Sequence, residues 1–444
     1  MFEPRTKPTA TPTAKAKSPA ATPAAPARPH LTTPTARQIP TPTRRSTTAP
    51  AAEARAPLRP TTKEPGYVLD KDTGTPRWIS STTQIKQAKA WYQANAQQYT
   101  PQVIKQIQKK LDLPVTGTVD HAFLNSVTTW QTNFDLPLAS GRGTKLPNGN
   151  ELMSFGANGV LVPEQLAKMF PTGLGRVESM TRYVKDTEKI VQTWGTLDTA
   201  GKRANAIKTL LTQYSRANGI PIPSFQSVQM TPGLNGSFTH RTWKLEINSA
   251  ALNANMTPDQ IRDTMATLYH EARHAEQNFM VLRLLAGTGR SAAEIRSETS
   301  LPTPVIASAM RQPIQPGSVQ AVVANEFYQA RFGATAEARD KTMYNLTVRS
   351  LEMRAAQDEL HYLNTQRTQV VQKLKAATSP EAKTERQQQL QKLDAQLRTA
   401  RAREATSIKN YNAVYEDYRA LPGERDAWDT NGAMRVIRAR TGSK

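Results

Sequence analysis

The chain has 444 residues, 58 Lys and Arg against 36 Asp and Glu, a formal net charge of +22, and no cysteine. The lack of cysteine excludes disulfides, thiol catalysis and cysteine-ligated zinc. The chain has no run of about 18 apolar residues, so we expect no transmembrane helix. The excess of positive charge favours anionic polymers such as nucleic acid, anionic lipid or bacterial wall polymers. No zinc finger, glycine-rich RNA-binding signature or basic-helix zipper is present, so a nucleic-acid partner is disfavoured.

Residues 1–66 differ in composition from the rest of the chain. They hold 14 of the 31 prolines and 11 Lys and Arg against 3 Asp and Glu, with almost no large apolar side chains. Such a segment cannot bury enough apolar surface to offset the entropy of ordering it, so we predict a disordered, basic tail. The first residues, MFEPRTKPTATPT, lack the apolar core of a signal peptide. We therefore expect any export to use a route that does not read a conventional signal peptide.

Residues 67–172 are predicted to form a small helical domain. Helical spacing begins at about Ser81, and three further stretches show apolar residues at the same spacing. A turn at Pro114 and Gly117 separates the first two, and a polar, Gly-rich insertion near residues 139–158 precedes the third, VPEQLAKMF. The apolar positions of the first two stretches are Val103, Ile104, Ile107 and Leu111, then Phe123, Val127, Trp130 and Phe134.

The stretch from about residue 101 to 170 resembles the peptidoglycan-binding domain found on many wall hydrolases. The positions that carry this resemblance are Gln106, Leu111, Gly117, Val119, Asp120, Phe123, Val127, Gln131 and Leu136. The resemblance implies a three-helix fold that binds the bacterial wall. The sequence departs from the family at His121, where the family usually has Gly. A three-helix docking module without wall binding is therefore the alternative.

Residues 173–444 begin with two predicted helices over 177–218 and then change to strand periodicity. The stretches SFQSVQM, TPGLNG and SFTHRTWKLEIN predict a strand, a turn and a second strand of a small antiparallel sheet. From about residue 335 to 420, two long amphipathic stretches interrupted near Pro380 predict an antiparallel helical hairpin with a coiled-coil-like seam. The predicted fold class is therefore mainly α, with a small β component.

The stretch TLYHEARHAEQNF carries the chemistry. It lies in a predicted helix whose start, at Thr257 and Gln260, has the sequence of a capping box. His270 and His274 lie off the apolar stripe and one turn apart, so both imidazoles face the same way and can hold one zinc ion. Glu271 can reach a zinc-activated water without being a ligand. The alternative is a buried helix whose histidines only satisfy local hydrogen bonds.

A catalytic zinc usually needs a third protein ligand, and no third histidine closely follows this motif. His240, on the predicted strand, and Glu326, in VVANEFYQARFG, are candidates. The segment YRALPGERDAWDTNG offers Glu424 in the first turn of a short helix, where the helix dipole alone also favours carboxylates. In the same segment we expect Asp426 to accept the second ring N–H of a ligand histidine, and Trp428 to anchor the helix in the core.

The chain from about residue 225 to 435 resembles a zincin-type metallopeptidase domain of bacterial secreted toxins and contractile-injection-system cargos. The resemblance rests on TWKLEIN, YHEARHAEQNF and YRALPGERDAW. It implies that the downstream Pro-x-Glu-x-Asp-Ala-Trp helix supplies the last zinc ligand, Glu424. Gly423 departs from this family, in which an acidic residue is more usual. The basic, Pro-rich N-terminus resembles the loading tail of such cargos, which implies a secretion or injection apparatus as a partner.

These features predict a zinc-dependent metallopeptidase in which Glu271 is the catalytic base and the two histidines and Glu424 hold the metal. Tyr415 or Tyr418 is the candidate for stabilising the oxyanion. We expect an exported or injected protein that acts in the bacterial envelope or in a target cell, with peptidoglycan peptides as the favoured substrate. A protease that acts on a target-cell protein and a non-catalytic wall-docking or structural protein are the alternatives.

Overall fold

Helices make up most of the described chain, which confirms the prediction of a mainly α fold. The tail predicted over 1–66 and most of the insertion near 139–158 lie outside the described residues. The structure is a computed structural model, and it describes residues 82–133, 144–145, 151–152, 158–231 and 234–440.

Four helices and a two-stranded antiparallel ribbon come first along the described chain. They are α1 (Thr82–Ala94), α2 (Pro101–Lys110), α3 (His121–Asn133), β1 (Thr144–Lys145), β2 (Glu151–Leu152) and α4 (Pro163–Met169). The helix α1 begins next to the predicted start, and α2, α3 and α4 are the three predicted helices. Buried tyrosines join them, since Tyr92 and Tyr99 donate to the carbonyls of Gly159 and Leu161.

The small sheet is mixed, so the prediction of an antiparallel sheet was wrong for one of its two strand pairs. Its strands are β3 (Ser224–Val228), β4 (Gly236–Thr239) and β5 (Lys244–Asn248), in the order β3-β5-β4. The central strand β5 runs parallel to β3 and antiparallel to β4. The stretch predicted as one strand is broken because Trp243 adopts a φ of 51° and its N–H closes a turn on the His240 carbonyl.

The helix α7 (Pro258–Gly287) packs against more of the fold than any other element described here. It follows α5 (Val177–Thr193) and α6 (Ala200–Ala217), which are the two predicted helices. The predicted capping box is present, because the side chains of Thr257 and Gln260 each accept the other's backbone N–H. Most side chains of α7 are buried, since helices pack on it from several sides and β4 and β5 from another.

Six helices complete the fold, and two of them form the predicted hairpin. They are α8 (Ala292–Thr299), α9 (Thr303–Met310), α10 (Val319–Arg331), α11 (Ala336–Ala376), α12 (Pro380–Arg419) and α13 (Pro422–Arg440). The hairpin of α11 and α12 has its bend where Pro380 was expected to interrupt the pattern. Its seam buries Leu363, Leu397 and Ala400 in a cluster separate from the main core. Arg367 of α11 pairs with Asp394 of α12 (2.6 Å).

The main core is one cluster of buried side chains that runs from α1 to α13. It includes Leu166 and Leu174, which lie on either side of the boundary predicted near residue 172. The division into domains at 67–172 and 173–444 stays a prediction. A search of the described helices finds none that combines the length and apolar character of a membrane span.

Candidate metal centre

The buried helix α7 brings His270 and His274 together on one face, one turn apart. Their Nε2 atoms are 3.1 Å apart, and both side chains are buried. This face lies inside the fold because α7 is buried on nearly all sides. The two imidazoles therefore point their Nε2 atoms at one place, as their spacing predicted.

The carboxylate of Glu424, in the first turn of α13, completes a triangle of ligand atoms. Its Oε2 lies 3.6 Å from Nε2 of His270 and 3.3 Å from Nε2 of His274. Two ligands of a tetrahedral zinc ion at about 2.0–2.1 Å are roughly 3.3–3.4 Å apart. The three observed separations bracket this value, so the donor set fits zinc in both chemistry and size.

The charged forms of His274 and Glu424 stabilise each other. Burial disfavours charge on His274, but the Glu424 carboxylate outweighs burial and raises the pKa of His274 to about 9. Burial also opposes charge on Glu424, yet the two imidazoles and the Tyr418 hydroxyl hold its pKa well below its ordinary value. The carboxylate is therefore ionised, which is the state that binds a cation.

Two buried charges on α7 fix the position of α13. Arg273 donates to both carboxylate oxygens of Asp426, at 2.7 and 3.1 Å, and also to Glu276 at 2.6 Å. Glu276 accepts the backbone N–H of Leu174 as well. A buried carboxylate held by a guanidinium fork has a defined position. Because Asp426 lies two residues after Glu424, this pairing sets where the metal-site carboxylate lies.

The expected role of Asp426 was wrong in one respect. Asp426 does not accept the second ring N–H of a ligand histidine, because Gln277 stands between them. Gln277 Oε1 lies 2.9 Å from Nδ1 of His274, and its Nε2 donates to Asp426 (2.7 Å) and to the Gly423 carbonyl (2.8 Å). The amide is closer because it lies on the same face of α7, three residues after His274. A side chain at Gly423 would bring its Cβ to 3.1 Å from Gln277 Oε1.

Trp428 packs on the metal site and not in the apolar core, which corrects its predicted role. Its ring meets the His270 imidazole edge to face, with centroids 4.9 Å apart. The Arg419 guanidinium covers the indole at 5.2 Å. Within the described residues, His270 Nδ1 is buried without a hydrogen-bond partner. The two imidazoles are therefore oriented differently, His274 by a hydrogen bond and His270 by ring packing.

Glu271 lies beside the triangle and contacts the edge of the sheet. Burial raises the pKa of its carboxyl, whereas the two histidines and the backbone N–H of Phe238 lower it. Phe238 belongs to β4, which is an edge strand. A carboxylate with a raised pKa next to a metal site is suited to accept and release a proton.

Of the two candidate tyrosines, Tyr418 reaches the metal site. Its hydroxyl donates to Oε2 of Glu424 at 2.5 Å, at the end of α12. Tyr415 packs on Tyr418, with ring centroids 5.9 Å apart, one turn farther from α13. The structure therefore brings Tyr418 to the ligand set and leaves Tyr415 behind it.

The two other candidate ligands, His240 and Glu326, are not part of the triangle. His240 Nδ1 meets Nη2 of Arg331 at 3.1 Å. Burial and the charges of Glu164 and Arg425 act on Glu326, with a net rise of its pKa to about 7. Neither belongs to the group of potential metal ligands found among the described residues, which is made of His270, His274 and Glu424.

Sequence reasoning missed the supporting residues Arg273 and Gln277. Gln277 could have been found, because it follows His274 by one helical turn and shares its face. Arg273 gave no signal, since its partner Asp426 is distant in the sequence. The structure also shows an open pocket beside the triangle, bordered by Arg331 and Arg339. Neither arginine was anticipated.

Comparison with known proteins adds no name to this site. No protein-family model matches the chain, and neither the curated proteins nor the solved structures contain a match. The function is therefore argued from the geometry of the site.

Proposed function

We propose that this chain is a zinc-dependent hydrolase that cleaves peptide bonds. One observation carries the proposal: the triangle of His270, His274 and Glu424 has the donor atoms and separations that suit tetrahedral zinc, with Glu271 beside it. Two histidines and one carboxylate with a further position left open are a ligand set of zinc hydrolases.

The residues around the triangle have the chemistry that hydrolysis needs. A bound zinc ion would polarise the scissile carbonyl and make a water more acidic. Glu271, whose pKa is raised by burial, accepts the proton of the attacking water and delivers it to the leaving amine. Tyr418 holds the Glu424 carboxylate through its hydroxyl. The edge strand β4 beside α7 is the kind of sheet edge to which an extended peptide adds.

We propose the peptides of peptidoglycan as the substrate class, reached by an exported or injected protein. The net charge of +22 supports this choice, because wall polymers are anionic. The resemblance of residues 101–170 to a wall-binding module supports it as well. Digestion of purified sacculi, followed by detection of new amino termini in the released fragments, separates this substrate from proteins of a target cell.

The test of the activity is the substitution Glu271→Gln in the full-length, zinc-loaded chain. We expect zinc stoichiometry to stay unchanged, because Glu271 is not in the ligand triangle, and hydrolysis to fall by about a hundredfold to ten-thousandfold. Glu337→Gln, an exposed glutamate in the first turn of α11, serves as the matched control. Unchanged turnover by Glu271→Gln, or the absence of zinc from the wild-type chain, would contradict the proposal.

A further inference from the structure

The pocket beside the metal triangle has an unusual distribution of charge. It is open to solvent, and His274 and Glu424 form part of its wall. Arg331, at the end of α10, and Arg339, in the first turns of α11, form another part. A group that enters this pocket therefore meets two of the proposed metal ligands and two arginines.

Among the described residues, no carboxylate forms an ion pair with Arg331. Its Nη2 meets Nδ1 of His240, whose pKa is lowered to about 3 by burial and by neighbouring arginines, so His240 is neutral. Among the described residues, none offers a hydrogen-bond partner to the buried Nε of Arg331. Of the carboxylates that act on Arg331, Glu424 has the largest effect, and His270 and His274 already engage it.

The surroundings of Arg339 do not offset the positive charge at Arg331. Arg339 pairs with Asp340 at 3.0 Å, but the Asp340 side chain is 73% exposed, so water weakens that pairing. The exposed Arg241, next to His240, adds a further positive charge. A buried guanidinium without a counter-charge is costly unless an anion reaches it. The pocket is thus built for a negatively charged group.

We propose that Arg331 and Arg339 form a subsite for a carboxylate of the substrate, next to the bond that is cleaved. This inference rests on the proposed peptidase function and specifies it further. The planar fork of a guanidinium matches a carboxylate through two parallel hydrogen bonds. The carboxylate has two sources in a peptide, its C-terminus and an acidic side chain, and peptidoglycan stem peptides carry both.

The first experiment compares substrates. Stem peptides are offered to the zinc-loaded full chain with every carboxyl free, with only the C-terminus amidated, with only the side-chain carboxyl amidated, or with both amidated. We expect kcat/KM to fall at least about tenfold when the recognised carboxylate is amidated, because a hydrogen-bonded charge pair is lost. The singly amidated peptides show which carboxylate is bound. Equal cleavage of all four peptides would overturn the subsite.

The second experiment changes the protein. Arg331→Gln should lower kcat/KM for the free-carboxyl peptide by about ten- to a hundredfold, mainly through KM, and remove the preference over the amide. Arg331→Lys should restore part of the preference, because it keeps the charge without the fork. Arg349→Gln, an arginine on the same helix as Arg339 and paired with Glu352, is the control. A variant Arg331→Gln that folds and keeps the full preference contradicts the proposal.

Binding tests the subsite even if the chain hydrolyses none of these peptides, an outcome that would reject peptidoglycan peptides as the substrate but not the subsite. Glutarate is titrated by calorimetry into the metal-free full-length chain, so that no ion competes for it. Binding by the wild type and the Arg349→Gln control, lost in Arg331→Gln and weakened in Arg339→Gln, supports the subsite. No binding by the wild type, or equal binding by Arg331→Gln, overturns it.

Discussion

Gln277 links His274 to α13, the helix that carries Glu424. When Nδ1 of His274 donates to Gln277 Oε1, its Nε2 keeps a free lone pair for a metal. The same amide donates to Asp426 and to the Gly423 carbonyl, so α7 and α13 meet at one side chain. A single residue thus sets both the tautomer of His274 and the docking of Glu424.

We expect Gln277→Ala to lower zinc affinity by about ten- to a hundredfold, because an unsupported imidazole loses its preferred tautomer and orientation. Competition with a chelating dye measures the affinity. Asn278→Ala is the matched control, since this neighbouring buried amide bonds the backbone carbonyl of His274 and not its ring. Equal zinc affinities for Gln277→Ala and the wild type would show that the hydrogen bond does not orient the ligand.

Glu326 makes the stability of the fold depend on pH. Burial and Glu164 raise its pKa from 4.5 to about 7. The unfolded chain loses this proton from about pH 4.5 upward and the folded chain only near pH 7, so the stability it contributes is complete below pH 4.5 and lost as the pH rises through 7. Glu326→Gln should therefore raise the free energy of unfolding at pH 8 by about 1–3 kcal/mol, with little change at pH 4.5.

Thermal unfolding at both pH values, with Glu337→Gln as the exposed control, measures this difference. Zinc binding should be unaffected, because Glu326 lies outside the ligand triangle. A variant Glu326→Gln that loses zinc would return Glu326 to the list of ligands and remove Glu424 from it.

For single residues, the sequence predicts contacts between positions that are close together along the chain. The spacing of His270, Glu271 and His274 on one helix specifies their common site without knowledge of the fold. Residue type made Glu424 one of several candidates, and the resemblance then favoured it, because no local pattern links it to α7. The expected partner of Asp426 was wrong because the guanidinium fork of Arg273 and the amide of Gln277, both on α7, donate to its carboxylate in place of an imidazole N–H.

The hairpin of α11 and α12 joins α10 to α13 along the chain, but most of it lies away from the candidate metal site. Its apolar seam is separate from the main core, and Arg403 of α12 pairs with Glu359 of α11 across it. Only its base reaches the metal centre, through Arg339 and Tyr418. The length of the hairpin is therefore not needed to bring His270 and Glu424 together.

We expect the far half of the hairpin to be dispensable for metal binding. Replacing residues 357–404 by a short Gly-Ser linker cuts both helices at one level of the hairpin, since Glu359 pairs with Arg403, and keeps the base. Zinc stoichiometry and affinity should stay within about twofold of the wild type, because loop-closure entropy changes slowly with loop length. Metal analysis and dye competition measure both quantities. A truncated chain that folds but binds no zinc would mean that the hairpin positions α13.

The elements differ in how well the sequence predicts them. The hairpin repeats one period over many turns, so its limits and bend could be predicted closely. The sheet could not, because the order β3-β5-β4 depends on pairing between strands that are distant in the sequence. The turn at Trp243 also requires a left-handed backbone at a large residue, which residue preferences disfavour.

The whole described molecule is built around a core that crosses the predicted boundary near residue 172. Side chains join the two regions as well: Gln106 of α2 accepts the Val319 N–H of α10, and Glu164 of α4 pairs with Arg425 of α13 at 2.9 Å. A region whose core is shared cannot unfold without exposing its neighbour's apolar surface.

We therefore expect the full-length chain to show one calorimetric unfolding transition for both regions. Agreement between the calorimetric and van't Hoff enthalpies is the measurement that checks it. Two resolved transitions would instead mean that residues 67–172 and 173–444 unfold independently.

The order of residues along the chain delays the assembly of the proposed ligand set during synthesis. His270 and Glu424 are separated by about 150 residues, and at roughly 5–20 residues per second a ribosome takes on the order of ten to thirty seconds to add them. For the later part of that interval the helix with both histidines has left the ribosome tunnel, while Glu424 does not yet exist. The proposed set of three ligands is therefore complete only after the hairpin has been made.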